Sequence, residues 1–207
     1  MLFNTIHHEH NRAWAIWQLD EDESALIRLL DGMAIVPEEM TNLFKRLEFL
    51  GGRVLVKEVL NSMGQSYQGI RKDEFGKPFP IGCDYQLSLT HSYPYVAVLL
   101  DKVKAAGIDL EQPKAKLLKI APRVLSTAEL IDAGDAIVKH CIYWSAKETL
   151  VKVYGKKDLI FTENLKIDSF LLKQEGDILG RIIVEGEETT VPLQYYVFTD
   201  FVLVYSK

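Results

Sequence analysis

The chain has 207 residues, 48% of them apolar and 26% charged, and carries a net charge of −5. That mixture can bury one large core or two small ones, no run approaches the ~20 apolar residues of a bilayer-spanning helix, and the acidic balance argues against a dedicated nucleic-acid binder. Cys83 and Cys141 give neither a disulfide framework nor metal spacing, and the opening Met-Leu-Phe-Asn-Thr-Ile-His-His-Glu-His lacks the basic start and apolar run of a signal peptide, so a reducing cytoplasm is the expected compartment.

His7, His8 and His10 read as the edge of an N-terminal strand, since no fourth ligand lies nearby to make a transition-metal site. Residues 13–19 alternate large and small side chains and predict a strand. A short helix follows over 24–30, ended near Gly32. Pro37 and the acids after it suit the first turn of a longer helix, running through Phe44, Leu47 and Leu50 and continuing over 53–60 beyond Gly51 and Gly52. Residues 75–80 hold too much proline and glycine for regular structure. Residues 87–92 and 95–100 predict paired strands across a turn at 92–94.

The second half repeats this order with a strand over 105–111 and an amphipathic stretch over 114–125. A capping box at Ser126–Glu129 then starts a helix. A further helix over 140–154 precedes strands near 165–172, 178–185 and 191–205. The repeated order predicts an α+β fold of two similar halves, 1–103 and 104–207, packed as a pseudo-dimer within a monomer. Such an interface would make a cleft for a ligand.

The chemistry is concentrated in two segments. Gly107-Ile-Asp-Leu-Glu111 lies on a predicted strand, where Asp109 and Glu111 share one face and Ile108 and Leu110 the other. Adjacent carboxylates repel, and a cation between them removes the cost. Trp144-Ser-Ala-Lys-Glu-Thr-Leu-Val-Lys152 lies on a predicted helix, where Glu148 and Lys152 stand four apart on one side and Trp144 one turn earlier. Packing this helix across the strand would bring Asp109, Glu111 and Glu148 together with a lysine. Oxygen-only ligands favour a hard ion, magnesium above all, which keeps room for phosphate oxygens. The spacing thus predicts magnesium-dependent chemistry on a phosphate or pyrophosphate, with one active site, in the second half. On the first-half helix, Arg46, Arg53 and Lys57 fall on one face and suit an anionic ligand. Trp144 reads as a core anchor.

The Gly-Ile-Asp-x-Glu and Trp-Ser-x-Lys-Glu-x-x-x-Lys segments resemble those of the surfactin-type (Sfp-type) 4′-phosphopantetheinyl transferases. Two weaker motifs of that family occur in the same order, Gly76-Lys77-Pro78 and Leu87-Ser-Leu-Thr90-His91-Ser92. Thr90 stands where serine is usual, as does Thr149 after Lys147-Glu148 where serine or alanine is usual, and neither change removes a charge. The resemblance implies that each half is an antiparallel sheet packed on a long helix, the first contacting coenzyme A and the second holding the metal. It implies transfer of the phosphopantetheine arm of coenzyme A to a serine of an apo acyl or peptidyl carrier protein, releasing adenosine 3′,5′-bisphosphate. The pathway served would be fatty-acid or secondary-metabolite biosynthesis. Asp109, Glu111 and Glu148 would hold Mg2+, with Glu148 or a metal-bound water taking the serine proton and Lys152 neutralising the leaving phosphate. Lys77, Thr90 and His91 would contact coenzyme A, with Arg46, Arg53 and Lys57 as further candidates. A magnesium-dependent hydrolase of coenzyme A or another nucleotide pyrophosphate is the alternative that uses the same carboxylates. Lys116, Lys119 and Arg123 share one face of the 114–125 stretch while Leu117, Ile120 and Val124 share another, which suits an acidic partner such as a carrier protein.

Overall fold

The computed structural model describes residues 5–207, which divide into two compact units, one ending at Ala106 and the other beginning at Gly107. In the first, β1 (Ile6–Glu9) and β2 (Arg12–Gln18) form a hairpin followed by α1 (Glu23–Leu29) and α2 (Leu43–Ser62). Then come β3 (Ile70–Lys72), β4 (Pro78–Pro80), β5 (Gln86–Ser92) and β6 (Tyr95–Asp101). The main sheet has the order β1-β2-β6-β5 and is antiparallel throughout. His7 and His8 lie on its outer strand β1, as expected of an edge, whereas His10 falls in the turn to β2.

Helix α2 begins at Leu43 rather than at Pro37, because Asn42 supplies the cap: its side chain accepts from the Lys45 amide at 3.1 Å. It runs unbroken through Gly51 and Gly52, which let it lie close on the sheet. A Cβ at Gly51 would come within 2.4 Å of Leu19, and one at Gly52 within 2.9 Å of Leu89. Leu50, Val54 and Val59 pack from the helix onto Ala13, Val96 and Val98 of the sheet. The segment read as irregular, 75–80, holds β4, which pairs with β3 in a small ladder. Its turn is closed by Asp73, whose side chain accepts from the amides of Phe75 and Lys77 at 2.9 and 2.8 Å.

The second unit runs β7 (Ile108–Glu111), α3 (Lys116–Val124), α4 (Thr127–Ala133), α5 (Ile137–Tyr154) and α6 (Phe161–Asn164). Strands β8 (Leu165–Ile167), β9 (Glu175–Val184), β10 (Glu187–Val197) and β11 (Val202–Ser206) complete it. Its sheet, β7-β11-β10-β9-β8, is also antiparallel throughout. The capping box at Ser126 and Glu129 forms as predicted. The stretch expected to be one strand over 191–205 is two, β10 and β11, reversed where the Phe198 amide bonds the Phe201 carbonyl at 2.8 Å. Leu117, Ile142, Tyr143, Ala146, Leu150 and Val204 form the centre of the core between helices and sheet. Both units are thus an antiparallel sheet with one long helix, but with four and five strands in different orders. Among the described residues no helix is long and apolar enough to cross a membrane.

Candidate functional site

The first unit contains a cavity of about 430 Å³ between α2, β5 and the β3–β4 ladder. Lys45, Glu48, Phe49 and Arg53 line it from the helix, and Leu89 and His91 from the strand. The Arg53 guanidinium lies 3.3 Å from the centre of the Phe49 ring and donates to the Phe49 carbonyl at 3.0 Å. Burial draws its pKa below the usual value, opposed by Tyr67. Stacking of this kind fixes a cation that is largely withdrawn from water. Lys77 lies in the chain between cavity-lining Gly76 and Pro78. Burial pushes its ammonium below the usual lysine value, with Asp73 opposing. Thr90 is buried, and strand alternation points it away from the face that Leu89 and His91 present to the cavity.

Of the three basic residues predicted on one face of α2, only Arg53 lines this cavity. The Arg46 guanidinium is forked onto Glu23 of α1 and also donates to the Met40 carbonyl at 3.2 Å. Lys57 donates to Asp31 and to the Leu29 carbonyl, both at 2.7 Å, and so ties down the end of α1. All three lie on α2 as the helical spacing implied, and the acidic partners of Arg46 and Lys57 come from α1 and the turn after it.

Glu48 was not among the sequence candidates. Its carboxylate is 3% exposed and accepts from the Tyr93 amide at 2.8 Å and Lys45 at 2.7 Å, with His91 Nδ1 at 3.1 Å. Burial alone would raise its pKa, but the bonds from His91, Lys45 and the amide outweigh it and hold the carboxyl at about 2. The available signal was an acid on the apolar stripe of α2, in line with Gly51, Gly52, Leu55 and Val59.

In the second unit α5 crosses β7 and β11 at very short range. A Cβ at Gly107 would come within 2.5 Å of the Thr149 carbonyl oxygen, so only glycine lets the helix backbone approach here. Thr149, fully buried, donates through Oγ1 to the Val204 carbonyl on β11 at 3.1 Å. This packing carries Lys152 to the strand, where Nζ donates to Asp109 Oδ1 at 2.7 Å and to the Ile108 carbonyl at 2.8 Å. Glu111 accepts from the Gln112 amide at 2.9 Å and faces Lys116 Nζ of α3 at 3.7 Å. The Glu148 carboxyl is pushed above its usual value, first by burial and then by the charge of Asp109. Lys152 opposes that rise and Glu111 adds to it.

The predicted partners therefore sit within one electrostatic field. Among the described residues, however, no three His, Cys, Asp or Glu side chains are close enough to hold an ion as they stand. Two lysines close on Asp109 and Glu111, while Glu148 bears the remaining repulsion. An all-carboxylate set with surplus negative charge suits a hard divalent ion, so the residues fit magnesium in kind and in charge.

Residues 105–205 match the model of the 4′-phosphopantetheinyl transferase superfamily. No curated protein matches the chain significantly. The superfamily match takes in β7, α5 and most of β11, and with them Asp109, Glu111, Glu148 and Lys152. In this unit the two lysines of the Trp-Ser-Ala-Lys-Glu-Thr-Leu-Val-Lys helix diverge. Lys147 is fully buried, 2.7 Å from Glu129 and bonded to the carbonyls of Val124 and Phe161 at 2.8 and 3.0 Å. Trp144 stacks on Phe161 and packs against the core, as expected of an anchor.

Proposed function

We propose that this protein is an Sfp-type, magnesium-dependent 4′-phosphopantetheinyl transferase. It moves the arm of coenzyme A to a serine of an apo acyl or peptidyl carrier protein in the cytoplasm, for fatty-acid or secondary-metabolite synthesis. The observation that carries the reading is the contact of Lys152 with Asp109, beside a Glu148 whose carboxyl is raised first by burial and then by Asp109 and Glu111, inside the segment that matches the superfamily.

The reaction joins the serine oxygen to the phosphorus next to pantetheine and breaks that phosphorus–oxygen bond to the nucleotide, which leaves as adenosine 3′,5′-bisphosphate. Phosphoryl transfer of this kind depends on positioning and charge neutralisation, and the protein need supply no nucleophile. Asp109, Glu111 and Glu148 would hold magnesium, which when bound offsets the charge of the pyrophosphate oxygens. Glu148, with its raised pKa, accepts the serine proton more readily than an ordinary carboxylate. Lys152, within reach of the same strand, offers its ammonium to the leaving phosphate once released from Asp109. Arg53 and Lys77 supply positive charge in or beside the first-unit cavity and His91 adds a ring nitrogen, which suits the phosphates of coenzyme A.

The deciding experiment mixes the protein with coenzyme A, magnesium and an apo carrier protein and reads intact masses. A carrier heavier by one phosphopantetheine arm supports the transferase. Free phosphopantetheine with an unmodified carrier would replace this reading by a hydrolase using the same carboxylates.

A further inference from the structure

An anion site has no use for a carboxylate unless the carboxylate organises the donors, and Glu48 lines the first-unit cavity while 3% exposed. Its two oxygens are divided. Oε1 accepts from the Tyr93 amide at 2.8 Å, while Oε2 accepts from Lys45 at 2.7 Å and lies 3.1 Å from His91 Nδ1. Lys45 and His91 thus meet it from two different elements, α2 and β5.

We propose that Glu48 is a positioning residue: by taking the Nδ1 proton of His91 as a hydrogen bond, it fixes the ring so that Nε2 donates to a phosphate group of a nucleotide in the cavity. This rests on the reading above, that the cavity receives the phosphates of coenzyme A. The physical logic is that of a carboxylate–histidine pair, in which the bond made by one ring nitrogen decides what the other presents. A neutral ring with its proton on Nδ1 would turn a lone pair toward the phosphate and repel it. A ring bracketed by Glu48 and a phosphate carries protons on both nitrogens and bridges two anions. Lys45 shares Oε2 with the histidine, and its side chain is 60% exposed, so it moderates the carboxylate without displacing the ring. Deleting the charge of Glu48 while keeping its shape should therefore loosen the grip on phosphate and leave the cavity wall standing.

The test uses the full chain and adenosine 3′,5′-bisphosphate as probe. Calorimetry on the wild type, Glu48→Gln, His91→Gln and the double variant gives affinities, and 15N NMR of the imidazole, assigned by the His91 variant, gives the proton positions. The expected result is a roughly ten-fold weaker affinity in Glu48→Gln. Little further loss should follow when the same change is made on His91→Gln, and the KM for coenzyme A should rise more than kcat falls. In the bound wild type both ring nitrogens should be protonated, a readout that does not depend on any variant folding. Unchanged affinity in Glu48→Gln, or a bound wild-type ring with Nδ1 unprotonated, overturns the role of Glu48 while leaving the nucleotide site standing. A wild type that does not bind the bisphosphate overturns the nucleotide reading itself, and the inference with it.

Discussion

Lys147 Nζ lies 2.7 Å from Glu129 Oε2, and the two side chains are 0% and 3% exposed. Glu129 also completes the capping box of α4 by accepting from the Ser126 amide, and accepts from the Ile167 amide at 2.9 Å. The pair thus joins α5 to α4 and β8, and the two carbonyls bound by Lys147 add the end of α3 and the start of α6. Removing one member of a buried pair strands the other charge, at a cost of about 3–5 kcal/mol. Lys147→Met should lower unfolding stability by that order. Glu129→Gln, which preserves the capping shape, should restore part of it in the same background. Urea titration of the three proteins measures this; a Lys147→Met loss below about 1 kcal/mol would remove the lysine from the framework.

Asp109→Ala and Glu148→Gln should each abolish transfer without unfolding the protein. The first removes a proposed ligand and the strand partner of Lys152; the second leaves an amide that can neither balance a cation nor accept a proton. Activity assays together with magnesium calorimetry check both. Near-normal turnover with intact magnesium binding in either variant contradicts its assignment.

Lys77→Ala should weaken coenzyme A binding while sparing magnesium binding. A charge-assisted bond to phosphate is worth roughly 1.5–3 kcal/mol, so affinity should fall about ten-fold or more. Direct binding measurements that give equal coenzyme A affinities for the two proteins would place Lys77 outside the nucleotide contacts.

Glu48 makes stability depend on acidity in a definite direction. Its carboxyl is held at about 2 in the folded chain, below the usual 4.5. The stabilisation is therefore complete above about pH 4.5 and is lost as pH falls toward 2. By linkage it amounts to up to roughly 3 kcal/mol. Glu48→Gln should be less stable at neutral pH and should show a shallower decline between about pH 5 and 2. Parallel curves for wild type and variant across that interval would refute the low value.

The basic face of α3 offers a test of carrier docking. Lys116 is unsuitable because it faces Glu111 at 3.7 Å, whereas Lys119 and Arg123 are exposed on the same helix. Lys119→Glu with Arg123→Glu should raise the KM for an acidic carrier protein but not for coenzyme A, with the difference shrinking as salt is added. Identical carrier kinetics at low salt would make this an ordinary surface helix.

The candidate carboxylates and lysine of the second unit stand out in the sequence because their placement rests on local periodicity. Strand alternation set Asp109 and Glu111 apart from Ile108 and Leu110, and helical spacing joined Glu148 to Lys152. What stayed hidden depends on tertiary partners. Nothing near Arg46 or Lys57 in sequence announces Glu23 or Asp31. Nor does helical spacing say that Lys116 of α3 comes to face Glu111 at the end of β7. Lys147 did leave a trace, since it shares a helix face with Tyr143 and Leu150, both fully buried. Misplaced boundaries have local causes: Asn42 outcompetes Pro37 as a helix start, and Asp73 turns a proline-rich segment into a ladder.

The bare α-carbon at Gly107 has a wider consequence. Where a helix rests on a sheet through side chains, every exchange of a core residue alters the gap between them. Here the gap over β7 is set by main chain against main chain, Gly107 under the Thr149 carbonyl. The reach from Lys152 to Asp109 is thereby less sensitive to exchanges of core side chains than a contact set by side chains alone would be.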